Sequence, residues 1–506
     1  MKGNVLMVQG TMSGAGKSLL VAGLCRILAQ DGVSVAPFKS QNMALNSFVT
    51  RDGLEMGRAQ VTQAEAAGVE PHVHMNPVLL KPTSNTGSQV IVRGKPVGTM
   101  SAREYFAFRR TLKQPIMESF RALQERFDVV LIEGAGSPVE LNLKHDDIVN
   151  MGMARMAHSP VLLVGDIDRG GVFAQLIGTV MLLGEEERKL VRASVVNKFR
   201  GDVTLFKDGV GMLEERMGIP VAGVVPYLQV QIDEEDSAGG RLDAQTGQAG
   251  HTGALVDVAV LRLPRISNFT DFCALDAMEG VRLRYTSSAR ELGTPDLLIL
   301  PGTKSTMDDL RWLKEQGLDV AIHAAAQRGV PVLGICGGYQ ILGTSVEDPH
   351  GTEGGGAERG LGLLPVRTVF EANKRTVQSQ GSFCTVGGTL ANLSHKAVRG
   401  YEIHAGKTVR EGGSPLLTLD QGHGIPLEDG CAQQNVYGTY LHGLFDEQGV
   451  AEALLQALMA ARGIVTDGVQ AQDMATYRQR QYDLLADGLR QSLNMDLVYS
   501  ILEEGV

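Results

Sequence analysis

Short apolar runs rich in Val, Leu and Ile punctuate the first half of the chain, at 4–9, 33–38, 129–133, 161–165, 194–197 and 221–225. Each stops at glycine, proline or polar residues, the pattern of strands buried on both faces. Between the first two, Leu20, Leu24, Ile27 and Leu28 recur at helical spacing before the stop at Gly32. Strands alternating with such helices predict a doubly wound parallel sheet with crossover helices. The texture changes at 229–253, where Gly, Asp, Glu and Gln dominate without sustained period, and a linker is expected there. A second α/β region follows, with runs at 256–263, 297–300, 332–335 and 436–441, and 450–504 reads as mostly helical. The expected organisation is an amino-terminal α/β domain over 1–228, the linker over 229–253, a second α/β domain over 254–446 and a helical extension over 447–506.

Composition narrows the function classes. With 506 residues, 43% hydrophobic and 21% charged, the chain resembles an average folded protein and exceeds one small binding module. Its 47 basic and 57 acidic side chains give a net charge of −10, which argues against a general nucleic-acid or anionic-membrane surface. An anionic ligand therefore needs a local basic pocket. No apolar run approaches the ~20 residues of a membrane-spanning helix, and the first residues lack the pattern of a cleaved leader, so a cytoplasmic location is expected. Cys25, Cys273, Cys336, Cys384 and Cys431 are widely spaced with no C-x-x-C pair, which supports neither a disulfide framework nor a structural zinc site.

Immediately after the first strand runs Gly10-Thr11-Met12-Ser13-Gly14-Ala15-Gly16-Lys17-Ser18, followed by a helix. Strand, glycine loop, Lys-Ser and helix together predict a phosphate cradle: backbone N–H groups converge on oxygens, Lys17 reaches the terminal phosphates and Ser18 ligates Mg2+. Five residues separate Gly10 from Gly16, one more than the usual spacing. Glu133, ending the strand VVLIE, lies where a doubly wound sheet faces its ligand and is a metal candidate beside Ser18. Glu55 is a second metal candidate, with a surface role equally open. Lys39 ends the second strand and is placed to meet phosphate. Asn197 suits either the nucleotide base or a helix cap.

In the second half, Gly334-Ile335-Cys336-Gly337-Gly338 follows a strand and precedes a helix. This is the pattern of a nucleophile elbow, in which small flanking residues let a reactive side chain project above the sheet. A free thiol is only a few per cent thiolate at neutral pH, so Cys336 needs a base, and His442 in Thr439-Tyr440-Leu441-His442-Gly443 supplies one. The N–H of Gly337 and the turn at Gly302 are expected to form an oxyanion and glutamine-binding site. Glu402 and His404 share one side of an extended segment and suit either orienting His442 or a domain contact.

The long phosphate loop resembles the dethiobiotin synthetase type of P-loop protein, and GICGGYQ with TYLHG resembles class I, triad-type glutamine amidotransferases. Most of that class continue as His-Pro-Glu, whereas this chain reads His442-Gly443-Leu444, leaving the acidic third member absent from its usual place. Together with FKSQNMALNS, QAEAAGVEPHVHMNPVLLKP, VLIEGAGSPVELNL, VVNKFRGD and YEIHAG, these features resemble the corrinoid amidotransferases over nearly the full length. The resemblance implies a glutamine-hydrolysing ligase of cobalamin biosynthesis that uses ATP and Mg2+ to amidate a corrinoid. Its implied substrate is adenosylcobyrinic acid a,c-diamide, amidated on four carboxylates through acyl phosphates by ammonia from glutamine. Amidation of two other carboxylates, by the diamide-forming branch of the same family, is the nearest alternative; a nucleotide-binding regulatory protein without catalysis is another. Oligomers are possible, and Lys81, Arg93 and Lys95 are corrin-contact candidates on sequence proximity alone.

Overall fold

The computed structural model describes residues 3–83, 87–232, 255–422, 425–464 and 473–506. The chain divides into two compact units, one of Met1–Ala44, Glu55–Ala238 and Arg478–Val506, the other of Leu45–Leu54 and Gly239–Tyr477.

The first unit is built on a six-stranded sheet in the order Val221–Pro226, Val191–Phe199, Val161–Asp166, Asn4–Gly10, Val129–Glu133, Val35–Phe38. Every neighbouring pair is parallel, as the apolar runs predict. Val129–Glu133 is buried along its whole length, which explains why it reads as a continuous apolar run rather than an alternating one. The helix Lys17–Gln30 turns Leu20, Leu24, Ile27 and Leu28 inward, and Leu485, Leu489, Val498 and Ile501 join them in one core. Each such fully buried aliphatic side chain contributes roughly 1.5–3 kcal/mol. Contact is close: a methyl group added at Gly23 would lie 2.2 Å from Leu489 Cδ1. The helical stretch expected over 447–506 is therefore divided, Gln448–Ala461 falling in the second unit and residues 478–506 in the first. A smaller sheet of Gln41–Met43, Val78–Pro82, Gly87–Val92 and Lys95–Ser101 completes this unit.

The second unit carries a sheet in the order Val281–Thr286, Val256–Leu261, Leu297–Leu300, Val332–Ile335, Val436–Thr439, Cys431–Gln433, parallel except for the last strand. Beside it, Val366–Phe383 and Ala397–Arg410 form a long antiparallel pair. The linker expected over 229–253 falls, from 233 onward, outside the described residues. Among the described residues no helix is long and apolar enough to cross a membrane.

Candidate active sites

The glycine loop is folded around its own lysine. Lys17 Nζ donates to Met12 O at 3.0 Å and to Gly136 O at 3.4 Å, and a methyl group at Gly10 would sit 3.1 Å from that nitrogen. Gly14 and Gly16 have φ of +73° and +88°, conformations that any β-carbon would strain. Thr11 Oγ1 donates to Gln175 Oε1 at 3.1 Å, and Ser13 faces the Gly136 loop. Asn197 Nδ2 donates to Ala15 O at 2.9 Å and closes over Gly16, so Asn197 braces the phosphate loop itself; among the described residues it caps neither of the helices that follow it, Val203–Phe206 and Lys207–Met217.

Glu133 ends its strand fully enclosed and gathers the polar groups of the site. Its Oε1 accepts from Ser18 Oγ at 2.8 Å and from Lys39 Nζ at 2.9 Å, and its Oε2 accepts from Gln63 Nε2 at 2.6 Å. Burial favours the neutral acid, but the Lys39 charge and these hydrogen bonds outweigh it and hold the carboxyl below the usual glutamate range. Ser18 and Glu133 are hard oxygen donors side by side, the kind of pair that holds Mg2+ while waters and phosphate oxygens complete its shell. Glu55 is placed differently: its carboxylate meets Lys81 Nζ at 2.9 Å, both side chains almost wholly buried. The charge Glu55 would offer a cation is thus already matched. Lys81 is thus buried and paired rather than a solvated surface cation, and Arg93 pairs with Glu118.

In the second unit, Cys336 occupies the turn between Val332–Ile335 and the helix Gly337–Leu342 with φ 52° and ψ −108°. That strained backbone is enforced by close packing. A methyl group on Gly338 would fall 1.9 Å from Leu300 O, and one on Gly337 would meet Thr303 Cγ2 at 2.6 Å and Thr303 N at 3.0 Å. The elbow glycines are therefore required for the helix to rest on the Pro301–Thr303 turn. Gly302 is equally confined: a methyl group there would lie 3.1 Å from His442 Cε1. The structure thus brings together Cys336, Gly337, Gly302 and His442.

His442 holds Asp271 Oδ2 on its Nδ1 at 2.7 Å, with His442 and Asp271 1% and 3% exposed. Asp271 Oδ1 accepts the Gly443 N–H at 3.0 Å, so one carboxylate fixes both the ring and the backbone beyond it. Burial lowers the imidazole's affinity for a proton, but the Asp271 charge and hydrogen bond overcome it and push His442 up to about 10. Tyr401 stacks on the ring at 5.3 Å and 21°. Asp271 lies in the turn Phe269–Phe272, after the carboxyl end of Val256–Leu261, and sequence motifs missed it. The only available signal is its position beyond the end of a sheet strand. Glu402 is turned elsewhere, to Ser379 Oγ at 2.7 Å, Gln421 Nε2 at 2.8 Å and Arg375 Nε at 3.1 Å, and His404 stacks on Tyr440. Asp271, then, is the acid that orients His442.

Fold and sites together define a nucleotide-binding α/β domain followed by a glutamine amidotransferase domain. Residues 6–237 match the CobQ/CobB/MinD/ParA nucleotide binding domain, and 257–450 the CobB/CobQ-like glutamine amidotransferase domain. The chain is 53% identical to a cobyric acid synthase from Ruminiclostridium cellulolyticum over 99% of its own length and 97% of the relative's. It is 52% identical to the Lachnoclostridium phytofermentans cobyric acid synthase and 48% to that of Dehalococcoides mccartyi strain CBDB1, over 99% of both chains in each case. The chain belongs to the cobyric acid synthase family.

Proposed function

We propose that this chain amidates side-chain carboxylates of a corrinoid, adenosylcobyrinic acid a,c-diamide, in the cytoplasm, using ATP, Mg2+ and glutamine. The observation that carries the reading is the coexistence, in one polypeptide, of a braced phosphate loop facing Glu133 and an elbow cysteine with an acid-oriented histidine.

At the amidotransferase site the raised proton affinity of His442 suits it to take the Cys336 proton as the sulfur attacks. The Cys336 sulfur attacks the glutamine amide carbon, and the oxygen that gains charge is met by the N–H of Gly337 and the Gly302 turn. The imidazolium gives its proton to the departing nitrogen, releasing ammonia and leaving a thioester. His442, now neutral, takes a proton from water as it attacks the thioester, which frees glutamate and restores the pair. Asp271 keeps the same ring tautomer through both steps.

A corrinoid carboxylate is inert to ammonia because oxide is a poor leaving group. Its oxygen attacks the γ-phosphorus of ATP, the bond to the β-phosphate oxygen breaks, and ADP leaves. Ammonia then adds to the acyl phosphate and inorganic phosphate departs. Lys17 and the glycine-loop N–H groups hold the transferring phosphate, while Ser18 and Glu133 would hold Mg2+, which would supply neutralisation of phosphate charge. Lys39 keeps Glu133 ionised. The donor set of two oxygens leaves room for nucleotide oxygens and water, as Mg2+ requires. Four carboxylates handled in turn, each with one ATP and one glutamine, complete the proposed reaction.

A pair of variants tests this reading. Cys336→Ala is expected to abolish glutamate release while amidation driven by ammonium salts persists. Lys17→Ala is expected to lose amidation from either nitrogen source. Normal use of glutamine by the first, or ammonium-dependent turnover by the second, would overturn the corresponding assignment.

A further inference from the structure

A cavity of about 530 Å³ opens in the first unit against the loop that follows Glu133, within the size range of small-molecule sites. Its floor is Ala135–Pro138, the same loop whose Gly136 carbonyl accepts from Lys17 Nζ. Asn150 fastens that floor, accepting from Ala135 N–H at 3.0 Å and donating to Ala135 O at 2.6 Å and Ser137 O at 3.1 Å. The walls are mainly apolar, with Met43, Leu80, Met100, Tyr105, Phe106 and Leu143. Three of these are left open to solvent, Met43 57%, Phe106 44% and Leu143 44% exposed. The charged lining is mixed: Arg109, its guanidinium 4.8 Å over the Phe106 ring, and Lys144, which pairs with Glu187, stand with the acids Glu140 and Asp147.

We infer that this cavity seats the corrin macrocycle, so that a peripheral carboxylate reaches the phosphate held by Lys17; the inference rests on the reaction proposed above. A carboxylate attacking the γ-phosphorus must come from a molecule whose body lies beside the phosphate loop, and the cavity floor is tied to Lys17. A corrin ring is an apolar, methyl-studded disc, and open Met43, Phe106 and Leu143 offer it apolar surface that otherwise faces water at a cost. Its side arms are carboxylates, for which Arg109 is a complementary charge on a protein of net charge −10.

The test uses steady-state kinetics of the full chain with adenosylcobyrinic acid a,c-diamide, ATP and glutamine, on Phe106→Asp, Leu143→Asp and Arg109→Gln. Val320→Asp, at a 70% exposed position of the other unit, serves as control. The expected result is a KM for the corrinoid raised about tenfold or more in both Asp variants. Arg109→Gln should raise it as well and weaken its dependence on salt. The KM for ATP and glutamate release at saturating corrinoid should stay as in the wild type, and Val320→Asp should alter nothing. Wild-type corrinoid KM in the Asp variants would overturn the assignment while leaving the reaction intact. A raised KM for ATP would also overturn it, giving the cavity to the nucleotide instead. Failure of the unaltered chain to amidate the corrinoid would overturn the underlying reaction, and this inference with it.

Discussion

Replacing Asp271 by Asn removes the charge that sustains the His442 imidazolium while keeping the side chain's shape. Asp271 Oδ2 and His442 Nδ1 lie 2.7 Å apart with both side chains enclosed, so water cannot replace the lost partner. Stripping one member from a buried charge pair costs about 3–5 kcal/mol, which at 1.36 kcal/mol per unit lowers the imidazolium pKa by about two to four units. His442 starts from about 10, so the change carries it to within reach of neutrality or below. Asn can also present its amide N–H to Nδ1 and favour the wrong tautomer, which compounds the loss. Glutamate release should fall in kcat/KM by about 10²–10⁴, with the alkaline limb of its pH profile displaced downward by the same two to four units. Amidation from ammonium should remain near the wild-type rate, since Asp271 serves only the glutamine chemistry. A variant within about threefold of wild type and with its alkaline limb in place would refute the assigned role.

Glu133→Gln leaves Lys39 as an enclosed cation without its counter-charge, so stability should fall by about 3–5 kcal/mol in a denaturant titration and amidation should be lost from both nitrogen sources. Because the Glu133 carboxyl titrates below its ordinary range, its contribution to stability is present above that range and lost as pH falls through the depressed value; the variant's stability should thus depend less on acid. His442 has the opposite sign. Its proton affinity is raised, so its contribution is fully present below the ordinary imidazole range and lost as pH rises through about 10, which Asp271→Asn should flatten in alkaline melting curves. Gly338→Ala drives a methyl group to within 1.9 Å of Leu300 O, and the elbow must shift: calorimetry should show a loss of about 1–3 kcal/mol, with glutamate release falling further than amidation from ammonium.

The phosphate loop and the elbow are legible in the chain because their chemistry is local: Gly10 to Ser18 and Gly334 to Gly338 each fit one strand–turn–helix whose glycines have no steric alternative. Asp271 is not, since it reaches His442 across 171 residues from a short turn with no motif. Glu402 misleads for a related reason. Extended spacing puts it on one side with His404, but strand register, invisible in sequence, turns that side toward Ser379 and Arg375. Glu55 reads as an acid free to bind a cation until folding brings Lys81 to it. The helices after 478 advertise their amphipathic character, yet nothing local says that Leu485 and Leu489 complete the core under the first helix. The strand Val366–Phe383, partner of Ala397–Arg410, is not legible because much of it is exposed or half-buried, which leaves little apolar alternation to read.

In the proposed reaction one polypeptide both activates a corrinoid acid and frees the nitrogen that captures it. Mass spectrometry of adenosylcobyrinic acid a,c-diamide, incubated with the purified chain, ATP, Mg2+ and glutamine carrying ¹⁵N in its side-chain amide, tests this most directly. Four labelled amide groups on the corrinoid are expected, with one glutamate and one ADP formed for each. Glutamate and ADP released with the corrinoid mass unchanged would contradict the proposed reaction.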